Sequence, residues 1–179
     1  MRMMFGRRLA APASGQGAAE LGDLPEWNLA DLYAGMEAPE LKRDIARAAA
    51  DAIAFETRWK GTLAAEAGRG GAGKLGEALV AYEALEELIG RIVSYAGLVY
   101  AGNTADPQRA KLYGDIQEKM TDASAHLLFF APELNLIDDA VIESALAADP
   151  TFAHYRPWVL DLRHDQPYQL EARVAALVH

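Results

Sequence analysis

The sequence predicts an all-α protein: an antiparallel helical bundle of about three long and two to three short helices, behind a disordered N-terminal tail. Three observations predict this fold. Apolar residues recur at steps of three and four through most of the 179 residues. No stretch rich in Val, Ile or Thr alternates between apolar and polar residues, as a half-buried strand would. The links between the helical stretches are short, which favours antiparallel neighbours.

Residues 1–22 are predicted to form a flexible tail, and residues 23–179 to form the helical domain. The tail is rich in Gly, Ala, Ser and Pro and has no hydrophobic periodicity. Arg7 and Arg8 precede only the short apolar run Leu9–Ala11, whereas a secretory signal needs about 7–15 apolar residues. We therefore expect a cytoplasmic protein.

The domain begins with a predicted turn or 3₁₀ segment over Asn28–Tyr33, which is expected to hold Trp27, Leu29 and Leu32 against the bundle. The first long helix is predicted to open at Pro39, because a missing N–H costs nothing at the first helical position. Its apolar stripe consists of Leu41, Ile45, Ala48, Ala52, Phe55, Trp59 and Leu63.

The second long helix is predicted over Lys74–Ala101. The residues Arg69–Gly73 before it form the most flexible predicted link, and Gly61 is expected to fray the end of the first helix. Gly102 and Asn103 are typical residues at which a helix stops. The apolar stripe of this helix consists of Leu75, Leu79, Tyr82, Leu85, Leu88, Ile89, Ile92, Ala96 and Val99.

The third long helix has the clearest start, because Asp106 can cap it and Pro107 then occupies its first position. Its stripe runs from Ala110 to Phe130, and Pro132 is expected to end or kink it. The last of the shorter helices has no Gly or Pro stop, which predicts a chain cut short before a further domain. The shorter helices are predicted over Asp139–Ala148, over Phe152–Arg163 with an interruption or start at Pro157, and over Gln169–His179.

Composition and charge exclude several classes of function. The net charge of the chain is −9. The tail has a charge of +2, from Arg2, Arg7 and Arg8 against Glu20, so the other 157 residues have a charge of −11. Nucleic-acid binding needs a basic face, which this charge does not favour. The chain has no cysteine, which excludes disulfides, thiolate nucleophiles and Cys-ligated metals. No apolar run approaches the roughly 20 residues of a membrane span. Neither nucleic acid nor a membrane is an expected partner.

The glycine cluster Gly68–Gly76 matches the spacing of two nucleotide-binding motifs, G-x-G-x-x-G and G-x-x-x-x-G-K. A phosphate-binding loop needs a strand before it, and a helix is predicted there instead. The second motif also needs Ser or Thr after its lysine to hold magnesium, but Leu75 follows Lys74. We therefore interpret the cluster as a linker.

The histidines and carboxylates form no recognisable catalytic pattern. No two histidines stand four apart beside a glutamate, as the ligands of a catalytic zinc do on a helix, and no G-x-S-x-G motif occurs. Asp122 and His126 share a helix face and are interpreted as a capped or solvated pair, and His164-Asp165 as a loop. The sequence therefore predicts no catalytic, cofactor-binding or metal-binding residue. The carboxylates interpreted as solvated flank residues or caps are Glu83, Glu86, Glu87, Asp138 and Asp139.

Aromatic residues recur at helical spacing, which is typical of a protein core. Such a stripe could instead line a peptide groove, because recognition needs an apolar surface, and both interpretations stay open. The residues concerned are Tyr82, Tyr95, Tyr100, Tyr113, Phe129 and Phe130.

Four strings, taken in order, carry a resemblance. They are LPEWNLADLY at 24–33; SYAGLVY at 94–100 with NTADP at 103–107; LLFF at 127–130 with ELN at 133–135 and DD at 138–139; and YRPW at 155–158 with LR at 162–163 and PYQL at 167–170. Together they resemble the N-terminal region of the oligoendopeptidase F family of zinc metallopeptidases. Pro132 departs from this family, because it stands where the family tends to continue its helix.

The resemblance implies an enzyme that hydrolyses short peptides inside a closed helical cavity. Family members hold zinc on a His-Glu-x-x-His helix with a further Glu, far downstream of the region matched here, and the zinc activates water for attack on the peptide. It thus implies zinc in the parent enzyme and none on this piece, which would be inactive alone and form part of the cavity wall. The implied partners are the missing C-terminal catalytic domain and oligopeptide substrates. The alternative is a free-standing helical interaction module.

Overall fold

A computed structural model describes residues 27–70 and 73–164, and within these ranges the chain forms helices and no strand, which confirms the all-α prediction. The predicted tail over residues 1–22 and the predicted last helix over Gln169–His179 lie outside the described residues. The helices are α1 Pro39–Trp59, α2 Leu63–Gly68, α3 Leu75–Gly102, α4 Pro107–Ala125, α5 Phe130–Asn135, α6 Asp139–Ala148, α7 Pro150–His154 and α8 Arg156–His164.

The three long helices α1, α3 and α4 pack against one another and enclose most of the core. Each buries most of the stripe that its apolar spacing predicts, because residues three and four apart share one face of a helix, although Ala110 at the start of the α4 stripe is exposed. In α4, Asp106 accepts hydrogen bonds from the N–H groups of Gln108 and Arg109, so the predicted cap is confirmed. The fully buried side chains of these helices include Leu41, Ile92, Ile116 and Met120.

The first helix is shorter than predicted. It ends at Trp59, and Gly61 adopts φ +76°, a left-handed conformation that turns the chain before α2 starts at Leu63. The stripe therefore continues across a turn into a separate helix, which apolar spacing alone does not reveal. The N–H of Gly61 donates to both carboxylate oxygens of Glu133, at 3.0 and 2.9 Å, so the turn is tied to α5.

Pro132 neither ends nor kinks the third long helix, and that prediction is wrong. The helix α4 stops at Ala125, and a turn leads into α5, which begins at Phe130. Pro132 lies in the first turn of α5, where a residue without an N–H leaves no intrahelical bond unmade. The apolar stripe predicted to continue to Phe130 is thus divided between two helices.

The C-terminal part of the described chain is built from short capped helices. Asp138 caps α6 through the N–H of Ala140, and Asp149 caps α7 through the N–H groups of Thr151 and Phe152. The helix predicted over Phe152–Arg163, with an interruption or start at Pro157, is interrupted two residues earlier, at Tyr155 between α7 and α8. The alternative that a helix starts at Pro157 is close to the structure, since Pro157 is the second residue of α8.

Helix α3 packs closely against the start of the short helix α7 at Gly76. Its N–H donates to a carboxylate oxygen of Asp149 at 3.1 Å, and a Cβ on Gly76 would lie 2.7 Å from that oxygen and 2.8 Å from the backbone nitrogen of Phe152. Only glycine lets α3 and α7 pack this closely. No helix among the described residues is long and apolar enough to cross a bilayer.

Replacing Gly76 with Ala is expected to lower the free energy of unfolding by about 1–3 kcal/mol, because the new methyl group overlaps backbone that cannot easily move. Urea denaturation followed by circular dichroism measures the effect. Gly90→Ala in the same helix is the matched control: nothing lies within 4 Å of its Cβ position, so Ala should stabilise by up to about 1 kcal/mol. Equal effects of the two substitutions would contradict the close packing of α3 on α7.

Candidate functional site

Among the described residues, a groove of about 760 Å³ lies between the segment 27–36 and the adjoining ends of α3 and α4, here termed the α3–α4 groove. Its volume lies in the range of sites that bind small molecules or a few residues of peptide. The lining is mainly apolar and carries one cationic side chain, that of Arg109. The apolar lining includes Trp27, Leu29, Met36, Tyr95, Leu98 and Val99.

Tyr95 lines the groove, and Tyr33 packs against its ring. The ring of Tyr95 is buried and meets the ring of Tyr33 edge to face, with centroids 5.1 Å apart. Burial raises the pKa of the Tyr95 hydroxyl, so this wall of the groove stays neutral at physiological pH. Tyr33 belongs to the segment 27–36, so this ring pair joins the segment to α3.

A buried carboxylate holds Tyr33 in place. Asp44 of α1 is 4% exposed, accepts a hydrogen bond from the Tyr33 hydroxyl at 3.1 Å, and accepts another from Arg91 of α3 at 2.6 Å. The Arg91 guanidinium also lies over the Tyr33 ring, 5.4 Å from its centroid. Burial and the Asp44 hydrogen bond together raise the pKa of Tyr33. This Tyr33–Asp44–Arg91 cluster fixes the segment 27–36 onto two helices.

Sequence reasoning missed this cluster, although one signal was present. Asp44 lies three residues after Leu41 and four before Ala48, so it falls on the apolar stripe of α1. A charged residue on a buried stripe needs a partner, because an unpaired buried charge is costly. The sequence shows the need, but the partners lie 11 and 47 residues away, and only the fold brings them together.

Arg109 stands at the rim of the α3–α4 groove. Its Nη1 donates to the carbonyl of Val99 at 3.2 Å, and its Nε lies 3.6 Å from a carboxylate oxygen of Asp106. Gly102 makes room for it, because a Cβ there would lie 2.9 Å from Nη1. The guanidinium is therefore held against the end of α3, and its Nε is too far from Asp106 for a direct hydrogen bond.

His126 does not pair with Asp122, so that sequence interpretation is wrong. It is the cap residue of α4, and its Nδ1 donates to Glu56 of α1, whose other oxygen accepts from Lys60 at 2.5 Å. Glu56 lies in the last turn of α1 and His126 at the end of α4, so the side-by-side packing of these two helices brings the groups together across 70 residues. These bonds, that of His126 first, lower the pKa of Glu56.

The other polar candidates occupy structural positions. Lys74 of the glycine cluster lies between α2 and α3, so a helix and not a strand precedes it. Its backbone N–H donates to the carboxylate of Glu66. Glu83, Glu86 and Glu87 are exposed as predicted, with the Tyr155 hydroxyl donating to Glu83. His164 closes α8 and is not in a loop, while Asp165 lies outside the described residues.

Tyr95 and Phe130 of the aromatic stripe are buried in the core, and Tyr82, Tyr113 and Phe129 are half-buried against it. Tyr82 stacks on Phe130 with centroids 4.7 Å apart, Phe55 contacts both rings as well as Phe129, and Tyr100 stacks on Tyr113. Trp27, expected to be held against the bundle, is 74% exposed, and that prediction is wrong. Leu29 and Leu32 do pack against the core as predicted.

The described residues do not fit a zinc site. Within residues 27–70 and 73–164, no three His, Asp or Glu side chains lie close enough to hold a metal ion together. What the α3–α4 groove offers is an apolar surface, a neutral phenol and a guanidinium, which are groups that bind a ligand.

Comparison with known families gives one match. Residues 133–179 match the N-terminal model of the M3 peptidases, described as oligopeptidase F, and this confirms the resemblance to an N-terminal region of that family over the segment that includes α6, α7 and α8. The strings at 24–33, 94–107 and 127–130 lie outside the matched residues. No curated protein and no solved structure matches the chain.

Replacing Asp44 with Ala is expected to lower the free energy of unfolding by roughly 1–3 kcal/mol, because the buried Tyr33 hydroxyl and Arg91 lose their shared acceptor. Thermal and urea denaturation measure the loss. Asp51→Ala, at an exposed position of the same helix, is the control and should change stability by less than about 0.5 kcal/mol. Similar effects at both positions would show that the cluster does not stabilise the fold.

The hydrogen bond from His126 to Glu56 predicts a pH dependence of stability. Because folding lowers the pKa of Glu56 below its ordinary 4.5, its contribution is complete above that value and is lost as the pH falls through the lower folded pKa. The stability difference between the parent chain and Glu56→Gln should therefore shrink below about pH 4.5. Urea titrations from pH 7 to 3 test this.

The two partners of Glu56 should separate in the same titrations. His126→Asn should remove more of the acid-dependent stability than Lys60→Gln, because the His126 hydrogen bond is the larger cause of the shift. If both variants follow the parent chain at every pH, the pair does not contribute to stability.

Proposed function

We propose that this chain is the N-terminal, non-catalytic helical part of a zinc metallo-oligopeptidase that hydrolyses short peptides in the cytoplasm. The observation that carries the proposal is the match of residues 133–179 to the oligopeptidase F N-terminal model. In this proposal the helices form part of the wall around the substrate cavity. The groups that hold zinc and activate water belong to a separate catalytic region.

The structure of the described residues supports a scaffolding role. Many of their ionisable groups are engaged in caps, surface ion pairs and inter-helix links, as at Asp149, Glu133 and Asp44. When zinc is bound by the catalytic region, it supplies the polarisation of the scissile carbonyl and the activation of water. This chain contributes shape and an apolar surface, which select substrates by access.

The proposed partner is the catalytic region, and exposed apolar side chains support that partnership. Leu136, which follows α5 inside the matched segment, is 76% exposed, and Leu160 of α8 is 45% exposed. Contiguous apolar patches are typical of surfaces that another protein segment covers, and in this proposal Leu136 and Leu160 belong to such a surface. The same feature favours the second candidate, a free-standing helical interaction module, so an experiment must separate the two.

The test compares the chain alone with the chain joined to the catalytic region of an oligopeptidase F enzyme, using an internally quenched peptide as substrate. The chain alone is expected to be inactive and the joined protein active. Changing the Glu of the His-Glu-x-x-His helix to Gln in the joined protein controls for contaminating peptidases. Cleavage by the chain alone that persists through repurification, or a joined protein no more active or soluble than the catalytic region by itself, would contradict the proposal.

A surface substitution sharpens the test. Leu136→Ser lies in the matched segment and should weaken association with the separately added catalytic region about tenfold or more, measured by titration calorimetry. Val80→Ser is the control, because Val80 is also exposed but lies outside the matched segment. Equal loss of association at both positions would argue against a specific docking surface in the matched segment.

A further inference from the structure

The α3–α4 groove combines three features that the scaffolding role does not require. It has an apolar floor, a guanidinium at its rim and the open end of a long helix in its wall. Each feature suits a different part of one ligand.

The guanidinium suits a carboxylate. Arg109 uses Nη1 on the Val99 carbonyl, while the 3.6 Å from Nε to Asp106 is too long for a direct hydrogen bond. A guanidinium presents five donors in a planar fork, so the remaining donors can bind a carboxylate with two parallel bonds. Asp106 caps α4 through Oδ1, and its Oδ2 forms an ion pair with the Nε side of the guanidinium without reaching hydrogen-bond distance, so a ligand carboxylate would bind through the other donors.

The end of α3 suits backbone N–H groups. The last four carbonyls of a helix have no intrahelical partner. Here Val99 accepts from Arg109 and Tyr100 accepts from the N–H of Asn103, whereas Ala101 and Gly102, both in the groove lining, receive no such bond. Acceptors beside a cation match a peptide, which carries N–H donors next to its terminal carboxylate. A fatty acid offers the carboxylate without the donors.

The floor suits an apolar side chain. Leu29, Met36 and Leu98 line it, and the neutral ring of Tyr95 closes it. Met adapts to differently shaped side chains because it is unbranched and polarisable. Gly35 in the lining has no side chain to block the approach of a ligand backbone.

We propose that the α3–α4 groove binds the C-terminal end of a peptide with an apolar last residue, its carboxylate on Arg109, its N–H groups on the carbonyls of Ala101 and Gly102, and its side chain on Leu29 and Met36. This site rests on the geometry of the groove and not on the proposed peptidase role. Binding is measured without catalysis, so the failure of one proposal leaves the other intact.

The test is fluorescence anisotropy of the full 179-residue chain with an N-terminally fluorescein-labelled Gly-Gly-Leu-Phe peptide. The free-acid peptide should bind, and the same peptide with a C-terminal amide should bind at least about tenfold more weakly, because it lacks the anion. Arg109→Gln should reduce the affinity for the acid about tenfold and leave the affinity for the amide nearly unchanged. Lys111→Gln, an exposed cation on the same helix, is the matched control and should change neither.

A second variant tests the floor independently of the ion pair. Ala101 is exposed, so Ala101→Trp should fold normally, fill the groove and abolish binding of both peptides. Equal binding of acid and amide, or full binding by the Trp variant, would overturn the proposal. A third result would also overturn it: no peptide binds, and the NMR peaks of Met36 and Tyr95 shift on dilution or on removal of residues 1–22. A shift on dilution would mean that a second copy occupies the groove, and a shift on removal of residues 1–22 would mean that the chain's own N-terminus does.

Discussion

A single buried carboxylate constrains the first half of this fold. Asp44 lies on the apolar face of α1, where an unpaired charge would strongly destabilise the native state. Its requirement for partners fixes the positions of Tyr33 in the N-terminal segment and Arg91 in α3. A pair of this kind contributes little against an apolar replacement, but losing one member is costly. What the structure shows is that one acceptor joins α1, α3 and the segment 27–36.

The second half depends on a different constraint, the close approach at Gly76. The N-cap of α7, Asp149, also accepts the N–H of Gly76, so one carboxylate begins a helix and joins it to α3. Arg163 of α8 performs a similar task, because it donates to the carbonyls of Leu134 and Ile137 and pairs with Asp139. These bonds assemble short helices that would be unstable alone, and most of them lie in the segment that matches the oligopeptidase F family.

The residues that stabilise the packing of the helices differ from those that line the α3–α4 groove. The residues that the fold needs most, such as Asp44 and Gly76, are enclosed by neighbouring helices. The α3–α4 groove lies beside the Tyr33–Asp44–Arg91 cluster, because Tyr95 in its lining packs against the ring of Tyr33. A binding surface is more selective when its walls are fixed before the ligand arrives, since less ordering is then needed on binding. The exposed apolar residues of the matched segment, Leu136 after α5 and Leu160 in α8, lie outside the lining of this groove.

The sequence by itself determined the fold class, the three long helices, their buried stripes and the caps at Asp106 and Asp138, because each follows from the period of apolar residues or from the chemistry of a few neighbours. It also carried the resemblance that the family match confirms over residues 133–179. Tertiary structure alone decided where the apolar stripes break, at Gly61 and after Ala125, because an apolar spacing can continue across a turn. It also decided the partners of Asp44 and His126 and the existence of the groove, since these join residues that are distant in sequence and no local pattern encodes such distances.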